Sequence, residues 1–305
     1  MRSPSYEIVD PEFTQLIIGH ARVDELWTGG RWLEGPAYFP DTGILVFSDI
    51  PNNRMLRWSE DASGSGGVTI FRQPSNNANG NTVDREGRLV TCEHGSRRVV
   101  RTEKDRTMTV VADRVGGKRL NSPNDVVVKR DGTVWFTDPD YGITSDYEGS
   151  RADREIDGCH VYRVDPDGSV KAVATDFVKP NGLAFSPDES HLYVSDTGVV
   201  EGDATPPCIR RFSVSATNAL TGGDVFAVVH PGASDGFRID ERGNLWTSAG
   251  DGVHCITPDG RLLGRILVPE VVSNVCFGGP ANNRLYITAT TSLYAIFLAV
   301  RGLGR

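Results

Sequence analysis

Cysteine is scarce in this chain of 305 residues, which has five and no Cys-x-x-Cys pair. An odd, unpaired set of this kind argues against a disulfide framework and against a structural zinc site built on paired cysteines. Most of the five lie inside apolar or strand-like runs, so we expect buried, reduced thiols. They are Cys92, Cys159, Cys208, Cys255 and Cys276.

Positive charge and long apolar runs are also in short supply. The chain has 32 Lys and Arg against 40 Asp and Glu, a net charge of −8, which argues against a nucleic-acid partner and an anionic membrane surface. The longest apolar run, residues 293–300, has the length of a strand and not of a membrane span. The N-terminal residues lack the apolar centre of a signal peptide, so the sequence predicts a cytoplasmic protein.

Several familiar catalytic motifs are missing. The sequence contains no Gly-x-Ser-x-Gly, no His-Glu-x-x-His, no P-loop and no Rossmann glycine pattern. These absences argue against a serine hydrolase, a zinc protease and a nucleotide-binding enzyme. No stretch has a clear period of 3.6 residues, so helices are not expected to organise the fold.

A repeated phrase takes the place of these features. A polar residue, often followed by glycine, opens a short apolar run; a turn containing Gly or Pro-Asp follows, and then a second strand-like run. Successive copies begin 45, 45, 57, 54 and 38 residues apart. Periods of roughly 40–50 residues with several short strands are typical of propeller blades, so the sequence predicts an all-β, six-bladed β-propeller. The copies begin at Glu34, Asn79, Asn124, Asn181, Asp235 and Ser273.

The repeat also predicts the domain organisation. Blades stack only on their neighbours and the ring closes as one unit, so we expect a single domain over residues 1–305. Residues 1–28 are expected to form a lead-in with a strand at 14–18, which completes the last blade and closes the ring. Residues 138–157 and 197–208 are expected to be insertions in the third and fourth units.

The opening residues of the six copies indicate a function. The innermost strand of each blade lines the central channel, so these residues are expected to form a ring around one axis. All six have oxygen-bearing side chains, and converging carboxylate and amide oxygens suit a hard divalent cation. The alternative is that Asn, Asp and Ser open these strands only to satisfy turn hydrogen bonds. Glu34 favours the cation, because Glu has no particular place at a turn.

Four motifs resemble those of the gluconolactonase/regucalcin/luciferin-regenerating (SGL) family, which is related to diisopropylfluorophosphatase. They are Glu34-Gly-Pro, Asn121-Ser-Pro-Asn-Asp, Lys179-Pro-Asn-Gly-Leu-Ala-Phe-Ser and Ser234-Asp-Gly. The resemblance runs from about Trp32 to Ala289. It implies a six-bladed propeller with one divalent cation in the central channel, and lactone hydrolysis as the commonest activity. The metal ligands that it implies are Glu34, Asn124, Asn181 and Asp235, with Asn79 facing the substrate.

The chain departs from regucalcin-like members at one position. Those members place an Arg two residues before the ligand Asn, where it contacts the substrate, and this chain has Ser122 there. The substrate would then be recognised by other side chains near the ring or at the channel mouth. The candidates are Trp32, His94 and Tyr141, each with a structural alternative: blade packing for Trp32, a turn for His94 and an exposed aromatic for Tyr141.

Together these observations predict a metal-dependent hydrolase that opens small-molecule lactones. The cation is expected to be Ca²⁺, with Mg²⁺, Mn²⁺, Zn²⁺ and Fe²⁺ as alternatives, and would polarise the lactone carbonyl. Asp235 is expected to activate water, with His94 as the reserve base. Two alternatives stay open: a phosphotriesterase or other esterase on the same fold, and a non-enzymatic propeller that binds a metabolite or a cation.

Overall fold

The computed structural model describes residues 5–61, 63–199 and 206–304, so residues 200–205 of the second expected insertion lie outside the described part. The N-terminal segment contains three elements. They are strand β1 (Tyr6–Ile8), a 3-10 helix (Pro11–Gln15) and strand β2 (Asp24–Thr28).

The strand expected at residues 14–18 was wrong. Asp10 caps the 3-10 helix by accepting a hydrogen bond from the Glu12 N–H at 2.9 Å, and Pro11 stands in its first turn. Both features favour a helical start over an extended one. Beyond the helix, Ile17 makes one isolated bridge, with Leu298.

The first three blades are antiparallel sheets of four strands each, with the innermost strand first in the chain. Blade one contains β3 (Leu33–Phe39), β4 (Ile44–Asp49), β5 (Arg54–Glu60) and β6 (Gly66–Arg72). Blade two contains β7 (Ala78–Val83), β8 (Leu89–Glu93), β9 (Arg98–Thr102) and β10 (Met108–Ala112). A small hairpin follows, formed by β11 (Arg114–Val115) and β12 (Lys118–Arg119). Blade three contains β13 (Val126–Val128), β14 (Val134–Asp138), β15 (Cys159–Val164) and β16 (Val170–Phe177), with a short helix α1 (Tyr141–Thr144) in its insertion.

The last three blades repeat this arrangement. Blade four contains β17 (Pro180–Phe185), β18 (His191–Asp196), β19 (Cys208–Val214) and β20 (Leu220–Ala227). Blade five contains β21 (Phe237–Ile239), β22 (Leu245–Ala249), β23 (Gly252–Ile256) and β24 (Leu262–Leu267). Blade six contains β25 (Val272–Gly278), β26 (Arg284–Ala289) and β27 (Ser292–Phe297).

The N-terminal strands complete the outer edges of the last two blades. Strand β2 pairs antiparallel with β27, so blade six receives its fourth strand from the beginning of the chain. Strand β1 pairs with β24 and adds a fifth strand to blade five. An edge strand that is paired in this way no longer offers free backbone groups for aggregation. The prediction of an all-β, six-bladed propeller is confirmed, while the expectation of one domain over residues 1–305 stays a prediction.

The apolar core is divided among the blade interfaces. Six clusters of buried side chains lie between neighbouring blades, one for each pair around the ring. Between blades one and two, for example, Val46 and Met55 pack with Ala78 and Leu89. Burial of apolar surface contributes about 25 cal/mol per Å², so these interfaces hold the blades in fixed positions around the channel.

All five cysteines are buried and free, as expected. Among the described residues, no helix has the length and apolar character needed to cross a membrane.

Candidate functional site

Broken strand pairing releases the opening residues of the repeats from the blade ladders. In four blades the register between the innermost and second strands shifts beside the opening residue, as it does between Glu34 and Ala37. In blades three and five the innermost strand begins only after that residue, at Val126 and Phe237. Such irregularities re-aim side chains, so the opening residue can face the channel and not a neighbouring blade.

Glycines allow the innermost strands to converge on the axis. A Cβ atom at Gly80 would lie 2.3 Å from the Asn124 carbonyl oxygen, and one at Gly182 would lie 2.3 Å from the Asp235 carbonyl oxygen. The N–H groups of the same glycines donate to these oxygens at 2.7 and 2.9 Å. Any side chain here would push successive blades apart, so these glycines set the width of the ring.

One cavity of about 280 Å³ collects five of the six opening residues, one from each of blades one to five. Four of them are nearly buried, and the fifth, Asp235, is partly exposed. The structure therefore brings together side chains that are up to 201 residues apart in the chain. The five residues are Glu34, Asn79, Asn124, Asn181 and Asp235.

Trp32 and Tyr141 also line this cavity, and both are partly buried. The Tyr141 hydroxyl lies 2.8 Å from Thr197 Oγ1, which joins the insertions of blades three and four. Lys179 Nζ lies 5.3 Å from the centre of the Tyr141 ring, within the range of a cation–π contact. The wall of the cavity on this side is thus built from two insertions held together.

His94 lies behind the cavity wall and is fully buried. Its Nε2 atom lies 3.1 Å from Asn79 Nδ2, and its Nδ1 atom lies 3.1 Å from the Glu148 carbonyl oxygen. Burial lowers the pKa of His94 to about 4, so the ring is neutral near pH 7. Both ring nitrogens are engaged with protein atoms, and His94 is not among the residues that line the cavity.

The two serines singled out in the sequence have structural contacts. Ser273 Oγ donates to the Leu33 carbonyl oxygen at 2.5 Å, and it is the next residue, Asn274, whose Nδ2 reaches Glu34 Oε2 at 3.0 Å. Ser122 Oγ donates to the Pro139 carbonyl oxygen at 2.7 Å. Ser122 therefore anchors the start of the blade-three insertion.

Sequence reasoning missed a buried charge pair beneath the cavity. Asp125 Oδ2 lies 3.7 Å from Arg238 Nη1 and 3.4 Å from Asn274 Nδ2. Asn274 in turn donates to Glu34, so Asp125 is linked to the cavity through one amide. Asp125 directly follows a predicted ligand, but nothing in the local pattern points to Arg238, which is 113 positions further along the chain.

The carboxyl groups of the cavity hold protons more tightly than usual. Burial, followed by the nearby Asp125, raises the pKa of Glu34 to about 7. Burial and the adjacent Glu34 raise the pKa of Asp235 well above its ordinary value. Burial also raises the pKa of Glu148, whose side chain lines the same cavity. Like charges confined in a poorly solvated space cannot all ionise without a compensating positive charge.

The donor set fits a hard divalent cation. Among residues 5–61, 63–199 and 206–304, no cluster of three or more His, Cys, Asp or Glu could hold a metal ion alone. A cation in this cavity would need amide oxygens as well as Glu34 and Asp235, and the cavity offers three asparagines. Carboxylate and amide oxygens are the ligands that Ca²⁺ and Mg²⁺ prefer, and a cation would relieve the repulsion that raises the two pKa values.

Comparisons with known proteins agree with this architecture. The chain is 34% identical to a gluconolactonase of Zymomonas mobilis over 87% of this chain and 78% of the relative. It is 29% identical to a pentonolactonase of Haloferax volcanii over 86% and 82% of the two chains. The solved structure of a Xanthomonas campestris gluconolactonase has a TM-score of 0.89 and 40% identity, covering 97% of this chain and 95% of that one.

A family model described as the SMP-30/Gluconolactonase/LRE-like region matches residues 32–291. This span includes the innermost strand of every blade and all five opening residues in the cavity. The chain therefore belongs to the SMP-30/gluconolactonase/LRE-like family.

Proposed function

We propose that this protein hydrolyses lactones in the cavity that contains Glu34 and Asp235, and that the reaction depends on a divalent cation. The gluconolactonase and pentonolactonase relatives match most of its length, and the chain is a lactonase. The observation that carries the site assignment is the convergence of five oxygen-bearing side chains from five blades on one cavity.

The proposed cation ligands are Glu34, Asn124, Asn181 and Asp235. When bound, the cation would polarise the lactone carbonyl and balance the charge of the developing oxyanion. A donor set made only of oxygens favours Ca²⁺, with Mg²⁺ and Mn²⁺ as the nearest alternatives and Zn²⁺ and Fe²⁺ as further ones.

Asp235 is the proposed general base. Burial and the neighbouring Glu34 raise its affinity for a proton above that of an ordinary aspartate, which suits proton transfer near neutral pH. Water forms the new bond to the carbonyl carbon, the ring C–O bond breaks, and the proton taken by Asp235 passes to the leaving oxygen. His94 is not assigned this role, because its two ring nitrogens already contact Asn79 and Glu148.

Trp32 and Tyr141 are proposed to contact the substrate, because both line the cavity beside the donor set. The position occupied by Ser122 gives no substrate contact, since its hydroxyl is committed to the Pro139 carbonyl oxygen. The aromatic rings and Asn79 would then replace the Arg that regucalcin-like members use there.

The test is acid release in a pH-stat, with D-glucono-1,5-lactone, unsubstituted δ-valerolactone and an organophosphate triester as substrates. We expect hydrolysis of at least one lactone, loss of that activity after exhaustive chelation, and recovery on addition of Ca²⁺ or another divalent cation. Hydrolysis of the triester alone would favour the phosphotriesterase alternative. Full activity in protein that elemental analysis shows to be free of metal would remove the cation from the proposal.

A further inference from the structure

One buried acceptor in the cavity has no partner. Asn79 is 3% exposed and lines the cavity, and its Oδ1 atom has no hydrogen-bond partner among the described residues. An unpaired buried oxygen costs about 1–3 kcal/mol, so such atoms are rare unless a ligand completes them. The question is why Asn79 turns this oxygen, and not its NH₂ group, away from the protein.

His94 determines the orientation of the Asn79 amide. The Glu148 carbonyl oxygen can only accept, so His94 Nδ1, 3.1 Å away, must carry the ring hydrogen. The ring is neutral, and Nε2 is therefore an acceptor that requires a donor at 3.1 Å. The NH₂ group of Asn79 is that donor, and its carbonyl oxygen must point the other way.

The backbone of Asn79 is held as firmly as its side chain. The register of blade two shifts between Ala78 and Asn81, which places Asn79 at the irregularity. Its carbonyl oxygen accepts from Ser48 Oγ at 2.6 Å and from Asn81 Nδ2 at 2.9 Å. With the backbone and the NH₂ group both held, Oδ1 is presented to the cavity in a fixed direction.

We propose that His94 is a positioning residue that fixes Asn79 Oδ1 as the acceptor for a hydroxyl group of the substrate, so that hydroxylated lactones are the preferred substrate class. This inference rests on the proposed function of the cavity. The ester group of a lactone has only acceptor oxygens, so a donor for Asn79 must come from a hydroxyl elsewhere on the ring. A site built around such a bond rejects analogues that lack the hydroxyl, because the acceptor is then left unpaired.

Two substitutions of His94 separate positioning from packing. In His94→Gln the longer side chain can still place an amide oxygen opposite Asn79 Nδ2. In His94→Asn the amide can still donate to the Glu148 carbonyl oxygen but no longer reaches Asn79. The preference for hydroxylated lactones should therefore survive largely in the first variant and be lost in the second.

The experiment compares kcat/KM for D-glucono-1,5-lactone with kcat/KM for δ-valerolactone in each variant. We expect His94→Asn and Asn79→Leu to lower the ratio of the two by about tenfold to a hundredfold, mainly through KM for the hydroxylated lactone. His94→Gln should stay within about threefold of the wild-type ratio. His254→Asn is the matched control, since His254 is also buried but contacts Asp251 in blade five.

The outcomes distinguish this inference from the proposed function. An equal loss of activity on both lactones in His94→Asn would overturn the inference, because it would indicate a general role or a cation ligand. An unchanged ratio in Asn79→Leu would overturn it too, with lactone hydrolysis left standing. If the wild type hydrolysed neither lactone, the proposed function would fall and the inference with it.

Discussion

The two ends of the central channel differ in size and in chemistry. The cavity with Glu34 and Asp235 measures about 280 Å³, whereas the cavity at the opposite end measures about 480 Å³. The larger one is lined by side chains from all six blades, among them Tyr38, Phe185 and Phe277. Volume alone would select the wrong end, because the smaller cavity holds the carboxyl groups with raised pKa values.

A charge pair lies between the two ends. Arg238 lines the larger cavity and faces Asp125, which is linked through Asn274 to Glu34. At the larger end a carboxylate thus has an arginine opposite it, while at the smaller end Glu34 and Asp235 face each other. The comparison teaches that the functional end is marked by charge without compensation.

The largest expected effect is that of Asp235→Asn at the smaller end. Removal of a general base usually costs about 10²- to 10⁴-fold, so we expect kcat for lactone hydrolysis to fall by at least about a hundredfold. The measurement is kcat by pH-stat, with metal content and circular dichroism recorded for the same sample. A folded, metal-loaded variant with the wild-type kcat would contradict the role of Asp235.

The second effect concerns stability in the metal-free protein. Folding raises the pKa of Glu34 from 4.5 to about 7, so the protonated form favours the folded state. Its contribution is fully present below about pH 4.5 and is lost as the pH rises through about 7, on the order of 3 kcal/mol in all. Urea unfolding of chelated protein between pH 5 and 8 measures this loss.

Glu34→Gln is the comparison for that experiment. The variant should lose less stability than the wild type over the same pH range. Part of the slope should remain, because burial also raises the pKa of Asp138 to about 7 in blade three. An identical slope in the two proteins would show that Glu34 does not titrate in this range.

The smallest effects come from a matched pair of tyrosines, one at each end of the channel. Tyr141→Phe removes the hydroxyl bonded to Thr197, a net loss of about 1 kcal/mol, and should raise KM about fivefold. Tyr38→Phe at the larger cavity should leave KM and kcat within about twofold. Equal effects of the two variants on KM would contradict the assignment of the site to the smaller end.

Much of the fold could be predicted because its pattern is local. The second strand of each blade follows a turn and alternates in a way that the sequence shows directly. The strand expected at 191–195 is observed at His191–Asp196, and the one expected at 284–288 at Arg284–Ala289. The opening residues could be located for the same reason, since they stand at a fixed place before these strands.

The remaining features depend on contacts that local pattern does not encode. At the sixth opening position, a register shift between Val272 and Asn274 decides which side chain reaches Glu34, and the shift is set by packing against the next blade. The contact between Tyr141 and Thr197 joins two insertions whose paths no periodicity constrains. The lead-in was misread because Asp10 and Pro11 favour a helical turn over the strand expected from the apolar residues.

The assignment of one cavity side chain to each blade has a consequence for engineering. Strand pairs form mostly inside a blade, whereas the spacing between Glu34, Asn181 and Asp235 is set only by the closed circle. A fragment that lacks one blade would keep most of its local structure and still have no working centre. The centre therefore cannot be transplanted as a peptide, and a growing chain acquires it only when its last blade has joined the first.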